Sequence, residues 1–239
     1  MQSARAPDGA RQVAVQEAAG LPPHPGARVR GLPHRAADPA AEATAVSIDR
    51  EIADQEASIG ISQASVVDSD EKLKERVAFI HESIHTAALV EQYVEGREIY
   101  VGILGNQALQ AMPVWELFFT NMPEGSKRIA TDRVKWSVKY QKKYGIDSGP
   151  ARDLPEAQAA AIQHLCKRTF RALELSGYAR VDLRLEENGN VWVIEANPNP
   201  QIAKGEDFAA SAEKVGLSYE TVLQRIINLG LRWQPESFA

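Results

Sequence analysis

The chain has 239 residues, 44% of them hydrophobic, with a formal charge of -5 and an isoelectric point near 5.6. That length holds one large or two small domains with a real core, and the negative balance argues against a protein that binds nucleic acid through a basic surface, since such affinity comes largely from phosphate neutralisation. A single cysteine, Cys166, excludes an internal disulfide and fits a reducing cytoplasm; no stretch approaches the roughly 18 apolar residues of a membrane helix, and the N-terminus lacks the apolar core of a secretory signal.

Residues 1–46 are dominated by Ala, Pro, Gly and Arg with no sustained period, a composition that cannot offset the entropy of ordering, so a disordered or non-native tail is expected there. His24 and His34 sit beside prolines in it and read as solvated residues, not metal ligands. From Ala57, ASIGIS is a small-residue loop leading into a strand at QASVV. SDEKLKERVAFIHESI then offers Asp68, Ser69 and Asp70 as candidate caps and repeats Leu73, Val77 and Ile80 at helical spacing, which predicts an amphipathic helix.

Three β-rich runs follow, ALVEQYV, EIYVGILG and ALQAMPVWELFF, separated by the turn signals EGR and GNQ, and are expected to form an antiparallel meander. The polar stretch from Thr120 to Pro150 reads mostly as loop. EAQAAAIQHLCKRTFRALEL is a long helix stopping at Gly177, and SYETVLQRIINLGLR is a last helix capped by Ser218. Cys166 lies within the long helix, where no histidine-bearing motif points to it, so an inert thiol is expected.

The strongest local signal is YARVDLRLEENGNVWVIEAN, two alternating strands on either side of Asn188-Gly189, the dipeptide most favoured in a two-residue hairpin turn. With Glu187 facing Asn190, Asp182 faces Glu195, Arg180 faces Asn197, and all four share one side of the hairpin. Val181, Leu183, Leu185, Trp192, Ile194 and Ala196 would then form the core face. Directly opposed carboxylates destabilise a sheet unless compensated, and a divalent cation is the natural compensator: magnesium takes carboxylate and amide oxygens and shares phosphates with a substrate. An ion-pair cluster in which Arg180 merely neutralises the two acids is the plainer alternative.

Taken together, residues from about Ala57 to Trp233 resemble the ATP-grasp superfamily and, within it, the D-alanine–D-alanine ligase-like group. The resemblance implies an α+β fold of two lobes, each with antiparallel β-sheet and packed helices, enclosing a nucleotide: 47–98 as a remnant of the small lobe and 99–239 as the large lobe with the metal-binding hairpin. GYARVDLRLEENGNVWVIEANPNP is similar to the family hairpin whose Asp, Glu and Asn ligate two magnesium ions, for which manganese can substitute. This makes Asp182, Glu195 and Asn197 the ligands and puts Arg180 on the phosphoryl groups and on the oxyanion of a tetrahedral intermediate. LVEQYVEGREIYV resembles the segment at which Glu91, Gln92 and Val94 would meet adenine and Glu98 the ribose. ASIGIS resembles the loop over the phosphates, with backbone N–H groups around Ser58, Gly60 and Ser62. Lys135 in RVKW would reach the γ-phosphate, with Lys139 as its competitor.

The chemistry implied is an ATP-dependent carbon–nitrogen ligation: phosphoryl transfer to a substrate carboxylate, then attack of an amine on the acyl phosphate. The implied partners are ATP and a small carboxylate and amine of the amino-acid class, with a homodimer as a candidate assembly. The sequence departs from the family in four places. The family lysine on a strand ahead of the small-residue loop has no counterpart, Arg50 being the nearest cation; the N-terminal substrate domain has none either; Gln201 stands where the family has glycine after the NxxP step; and IAKGEDFAASA differs on the substrate side. With the composition change near residue 46, these departures suggest a truncated or frame-altered form of a longer ligase. The alternatives are a nucleotide-binding protein without catalysis and a partner-binding module.

Overall fold

The computed structural model describes residues 44–48, 62–84 and 88–233. Within them the chain divides into two compact units, one of residues 44–95 and 119–146, the other of residues 96–118 and 147–233.

In the first unit β1 (Thr44–Ile48), β2 (Val66–Val67) and β3 (Ala88–Gln92) form an antiparallel sheet in the order β2-β1-β3. Thr44, Ala45 and Val46 were expected in the tail; pairing with Gln92, Glu91 and Val90 makes them strand instead, a long-range partnership that local composition does not announce. The amphipathic helix is present as α1 (Asp70–Phe79), capped by Ser69, whose hydroxyl accepts from the Lys72 N–H at 3.3 Å. A π-helical turn continues it over Ile80–Ile84. The expected stripe of Leu73, Val77 and Ile80 packs with Val67, Ala88 and Val90.

The loop expected from Thr120 to Pro150 instead contains α2 (Asp132–Trp136), α3 (Val138–Tyr144) and β7 (Ile146–Pro150). Both helices are too short to show a full apolar period, but each carries a cap: Thr131 Oγ1 accepts from the Val134 N–H and Ser137 Oγ from the Tyr140 N–H, both at 3.3 Å. Gly145, in the left-handed conformation at φ +58, ends α3.

The larger sheet contains β4 (Arg97–Leu104), β5 (Gln110–Ala111), β6 (Trp115–Phe119), β7, β8 (Tyr178–Leu185) and β9 (Val191–Asn197). Its order is β7-β6-β4-β8-β9, with β5 on β4. The predicted meander is thus corrected: β4 does pair with β5 and β6, but β3 belongs to the other sheet, and the second neighbour of β4 is β8, from Arg97↔Leu185 to Leu104↔Tyr178. The EGR segment closes no hairpin, since β3 pairs with β1 and β4 with β5, β6 and β8; Gly96 in it lies against the Leu185 backbone carbonyl, where a Cβ would collide. Arg97 then holds β4 to β6 through a two-point pair with Glu116, at 2.8 and 2.6 Å.

Side chains alternate along β4 and β8, so one face carries Ile99, Val101, Ile103, Val181, Leu183 and Leu185, packed against Ile162, Leu165, Cys166 and Phe170 of α4 (Glu156–Ala172). α4 ends before the expected stop at Gly177: Glu174 takes a positive φ of 54, and the Leu175 N–H returns to the Phe170 carbonyl at 3.0 Å, closing the last turn early. The opposite face is covered at one end by α5 (Asp207–Lys214) and α6 (Tyr219–Leu231), whose Phe208, Ala212 and Val222 join Leu104, Met112 and Leu217. α6 matches the expected last helix, Ser218 Oγ accepting from the Thr221 N–H at 3.2 Å. α5 was not foreseen: at eight residues it is barely two turns, too short a window for its apolar face of Phe208, Ala209 and Ala212 to declare a helical period.

Gly102 of β4 sets how close α5 comes: a Cβ there would lie 3.1 Å from the Phe208 ring and from Met112 Cγ. Gly102→Val should therefore cost about 1–3 kcal/mol by overpacking, read by urea unfolding, whereas Gly230→Ala, which meets open space in α6, should be neutral or gain up to about 1 kcal/mol. Equal stability of the two variants would contradict this packing.

Candidate functional site

The hairpin places its side chains by two local irregularities that cancel. The turn is one residue longer than predicted: Glu186, not Glu187, pairs with Asn190 through a 2.9 Å bond, the Gly189 N–H bonds the Glu186 carbonyl at 3.0 Å, and Gly189 takes φ +90. The strands leave it in a register shifted by one, with Leu185↔Val191, Arg184↔Trp192 and Leu183↔Val193. A bulge at Ile194 then restores the predicted pairs Asp182↔Glu195, Val181↔Ala196 and Arg180↔Asn197. The expected core face is corrected accordingly. Val191 and Val193 pack into the core beside Ala196, while Ile194 is exposed and the Trp192 indole donates to Glu186 at 2.8 Å.

On the face away from α4, Arg180 holds Asp182 at two points, Nε to Oδ1 at 2.7 Å and Nη2 to Oδ2 at 2.8 Å. Its guanidinium lies over the Tyr100 ring at 4.8 Å. Burial works against the charge of Arg180, but the Asp182 carboxylate, with further help from Tyr100 and Asp207, outweighs it and raises the pKa. The Tyr100 hydroxyl donates to Glu98 Oε1 at 2.8 Å, and Arg184 Nη2 donates to Glu98 Oε2 at 2.9 Å. Burial, reinforced by the charges of Glu98 and Asp182, pushes the Tyr100 phenol well above its ordinary value, so it stays a donor. Asn197 Oδ1 accepts from the Asn199 N–H at 2.8 Å, and Asn199 Oδ1 accepts from the Tyr178 hydroxyl at 2.8 Å, which anchors the chain after β9.

The structure thus brings Arg180, Asp182, Glu195 and Asn197 together as the sequence predicted, and Glu98 onto the same face of the sheet two residues from Tyr100. Glu91 and Gln92 lie on β3 opposite Ala45 and Thr44, and Val94 follows half-buried. Ser58 and Gly60 fall outside the described residues. Ser62 opens a single 3₁₀ turn and donates its backbone N–H to Ser65 Oγ at 3.0 Å. Lys135 sits half-buried on α2 and Lys139 exposed on α3. Cys166 is fully buried and burial raises its thiol pKa well above the ordinary value, as the inert reading required.

Three contributors were missed. Tyr100 and Arg184 were read only as strand residues, although their alternation with Glu98 and Asp182 was the available signal. Asp207, at the first turn of α5, accepts from the Ser148 hydroxyl at 2.5 Å and acts on the charge of Arg180; nothing in the linear sequence joins residues 148, 180 and 207.

Asp182, Glu195 and the Asn197 amide present only hard oxygen donors, which suits magnesium or manganese and not zinc. Among the described residues no group of three or more His, Cys, Asp or Glu gathers as a metal cluster. An ion held here would therefore draw on the amide oxygen, water and phosphate to complete its shell.

The family model described as D-ala D-ala ligase C-terminus matches residues 52–228. The chain belongs to this family. It is 31% identical over 174 residues to the D-alanine–D-alanine ligase of Desulfotalea psychrophila, covering 73% of this chain and 50% of the relative. It is 30% identical over 161 residues to the uncharacterized protein y4sG of Sinorhizobium fredii, covering 67% and 46%. The chain spans about half the length of the curated relatives it matches. Among solved structures, the VanG D-Ala:D-Ser ligase of Enterococcus faecalis superposes with a TM-score of 0.65 at 21% identity, covering 93% of this chain and 61% of that one. The Bacillus anthracis D-alanine–D-alanine ligase complexed with ATP gives 0.61 at 18% identity, covering 86% and 59%. These likenesses establish the ATP-grasp fold, α+β with antiparallel sheets.

The Arg184–Glu98 pair has side-chain exposures of only 8% and 12%. Removing one partner strands a buried charge, so Arg184→Met should cost about 3–5 kcal/mol in urea unfolding, much of it recovered by adding Glu98→Leu. No loss in the single variant would show the pair to be solvated.

Proposed function

We propose that this chain carries the nucleotide- and metal-binding part of an ATP-dependent carbon–nitrogen ligase that joins a carboxylate to an amine through an acyl phosphate. The observation that supports this most is the register Asp182↔Glu195 and Arg180↔Asn197 on one hairpin face in a chain of the D-alanine–D-alanine ligase C-terminal family. In this reading the carboxylate oxygen bonds to the γ-phosphorus of ATP as the bond to ADP breaks. The amine nitrogen then bonds to the acyl carbon, a proton leaves the nitrogen, and inorganic phosphate departs.

Asp182, Glu195 and Asn197 would hold one or two divalent ions, magnesium or manganese, which when bound neutralise the phosphates and offset charge at the transferring group. Arg180 supplies a planar donor for phosphoryl oxygens and for the oxyanion of the tetrahedral intermediate. Lys135 reaches the γ-phosphate, backbone N–H groups around Ser58, Gly60 and Ser62 meet the phosphates, Glu91, Gln92 and Val94 meet adenine, and Glu98 the ribose. Arg184 and Tyr100 hold Glu98 in place through its two oxygens. The relatives' names, D-alanine–D-alanine ligase and D-Ala:D-Ser ligase, favour amino acids as substrates.

A second reading, nucleotide binding without turnover, is favoured by one observation: the stretch TAVSIDREIADQE ahead of the small-residue loop carries no lysine, Arg50 being its only cation. Calorimetric titration with ATP, with and without magnesium, tests the site, and ADP release with D-alanine present separates the two readings. Magnesium-dependent ATP binding should weaken by more than about tenfold in Asp182→Asn/Glu195→Gln, on the scale of lost metal-site interactions. Undiminished binding in that variant would reduce the acids to a structural ion-pair cluster.

A further inference from the structure

Both oxygens of Asp182 are already taken by one cation. The Arg180 fork places Nε and Nη2 at 2.7 and 2.8 Å from them, and the two side chains retain only 16% and 13% of their exposure. The guanidinium lies over the Tyr100 ring at 4.8 Å, and Tyr100 is fixed in turn through Glu98 to Arg184. A two-point guanidinium–carboxylate pair in such a setting is strong and geometrically exacting. A divalent ion reaching for Asp182 must share these oxygens or displace the fork, and its own charge would sit against that of Arg180. A second carboxylate, Asp207, also favours the charge of Arg180 and is itself steadied by Ser148. Arg180 therefore need not lose all compensation on leaving Asp182.

We propose that Arg180, beyond its place on the phosphoryl groups, gates the metal site: its fork and a divalent ion compete for the oxygens of Asp182, and a nucleotide phosphate relieves the competition by accepting the fork instead. This rests on the reading of Asp182, Glu195 and Asn197 as metal ligands. Its consequence is coupling. The free ion binds poorly, the ion with nucleotide binds well, and the same residue accounts for both. Because the fork competes with the ion, loosening it should strengthen the metal alone while reducing what nucleotide adds, a fall in the coupling between the two ligands.

The test uses the full chain, manganese and ATP, with binding read by calorimetry and by the proton relaxation of manganese-bound water, and needs no turnover. Arg180→Gln removes charge and fork; Arg180→Lys keeps the charge, and with it a counter-ion for Asp182, but not the fork. Both should bind manganese alone at least about fivefold tighter than the unaltered protein, and the tightening conferred by ATP should shrink by a similar factor. Unchanged manganese affinity in both overturns the proposal. So does tightening in Arg180→Gln with Arg180→Lys unchanged, which would mean repulsion of charge without competition for the oxygens. Asp182→Asn checks the reading beneath it: manganese binding as strong as in the unaltered protein would remove Asp182 from the metal site, and absence of manganese binding in the unaltered protein and both arginine variants would overturn gate and site together.

Discussion

The antiparallel pairing of β4 with β8 is the constraint on which the second unit depends. It runs from Arg97↔Leu185 to Leu104↔Tyr178, and the two-residue alternation of strands converts it into a division of labour. Odd positions meet α4 in a dry core. Even positions, Glu98, Tyr100, Arg180, Asp182 and Arg184, form a polar sheet face bounded at one end by α5 and α6. A slip of one residue would exchange the two sets and bury five polar side chains against Phe170 and Ile162. The burial of Ile99, Val101, Val181 and Leu183 thus holds the candidate site in register without any of them reaching it.

That face carries more charge than a fold would keep for stability. Arg180 with Asp182 and Arg184 with Glu98 are both largely withdrawn from water, and Tyr100 links them through its ring on one side and its hydroxyl on the other. Paired buried ions seldom stabilise more than apolar side chains of the same volume. What the arrangement provides is orientation, with each carboxylate and guanidinium fixed by two contacts. A site whose charges are preorganised spends less on reorganisation when a highly charged nucleotide arrives.

Much of the first unit was less legible than the second. The capped helix at Asp70 follows from Ser69 and a three-residue apolar stripe, and it formed as written. β3 looked like the first arm of a meander because EGR has turn composition, yet its partner is β1, a strand forty or more residues upstream. Residues 120–150 looked like loop because two short helices bury only Val134 between them. For β3 the deciding contact was distant in sequence, whereas the two short helices were set by their local caps at Thr131 and Ser137.

The hairpin shows where the boundary lies. Strand alternation, the Asn-Gly signal and the spacing of Asp182, Glu195 and Asn197 were properties of the sequence, and they determined that two acids and an amide share a face with Arg180. The structure reaches the same pairs through a longer turn and a compensating bulge: Gly189, at φ +90, closes a three-residue loop, and Ile194 leaves the ladder on the exposed side. Only the tertiary structure decided that Trp192 leaves the core, that Tyr100 and Arg184 brace the site, and that Asp207 and Ser148 border it. Local pattern fixes which side of a strand a residue faces, whereas which strands and helices become neighbours is set by packing across the whole unit.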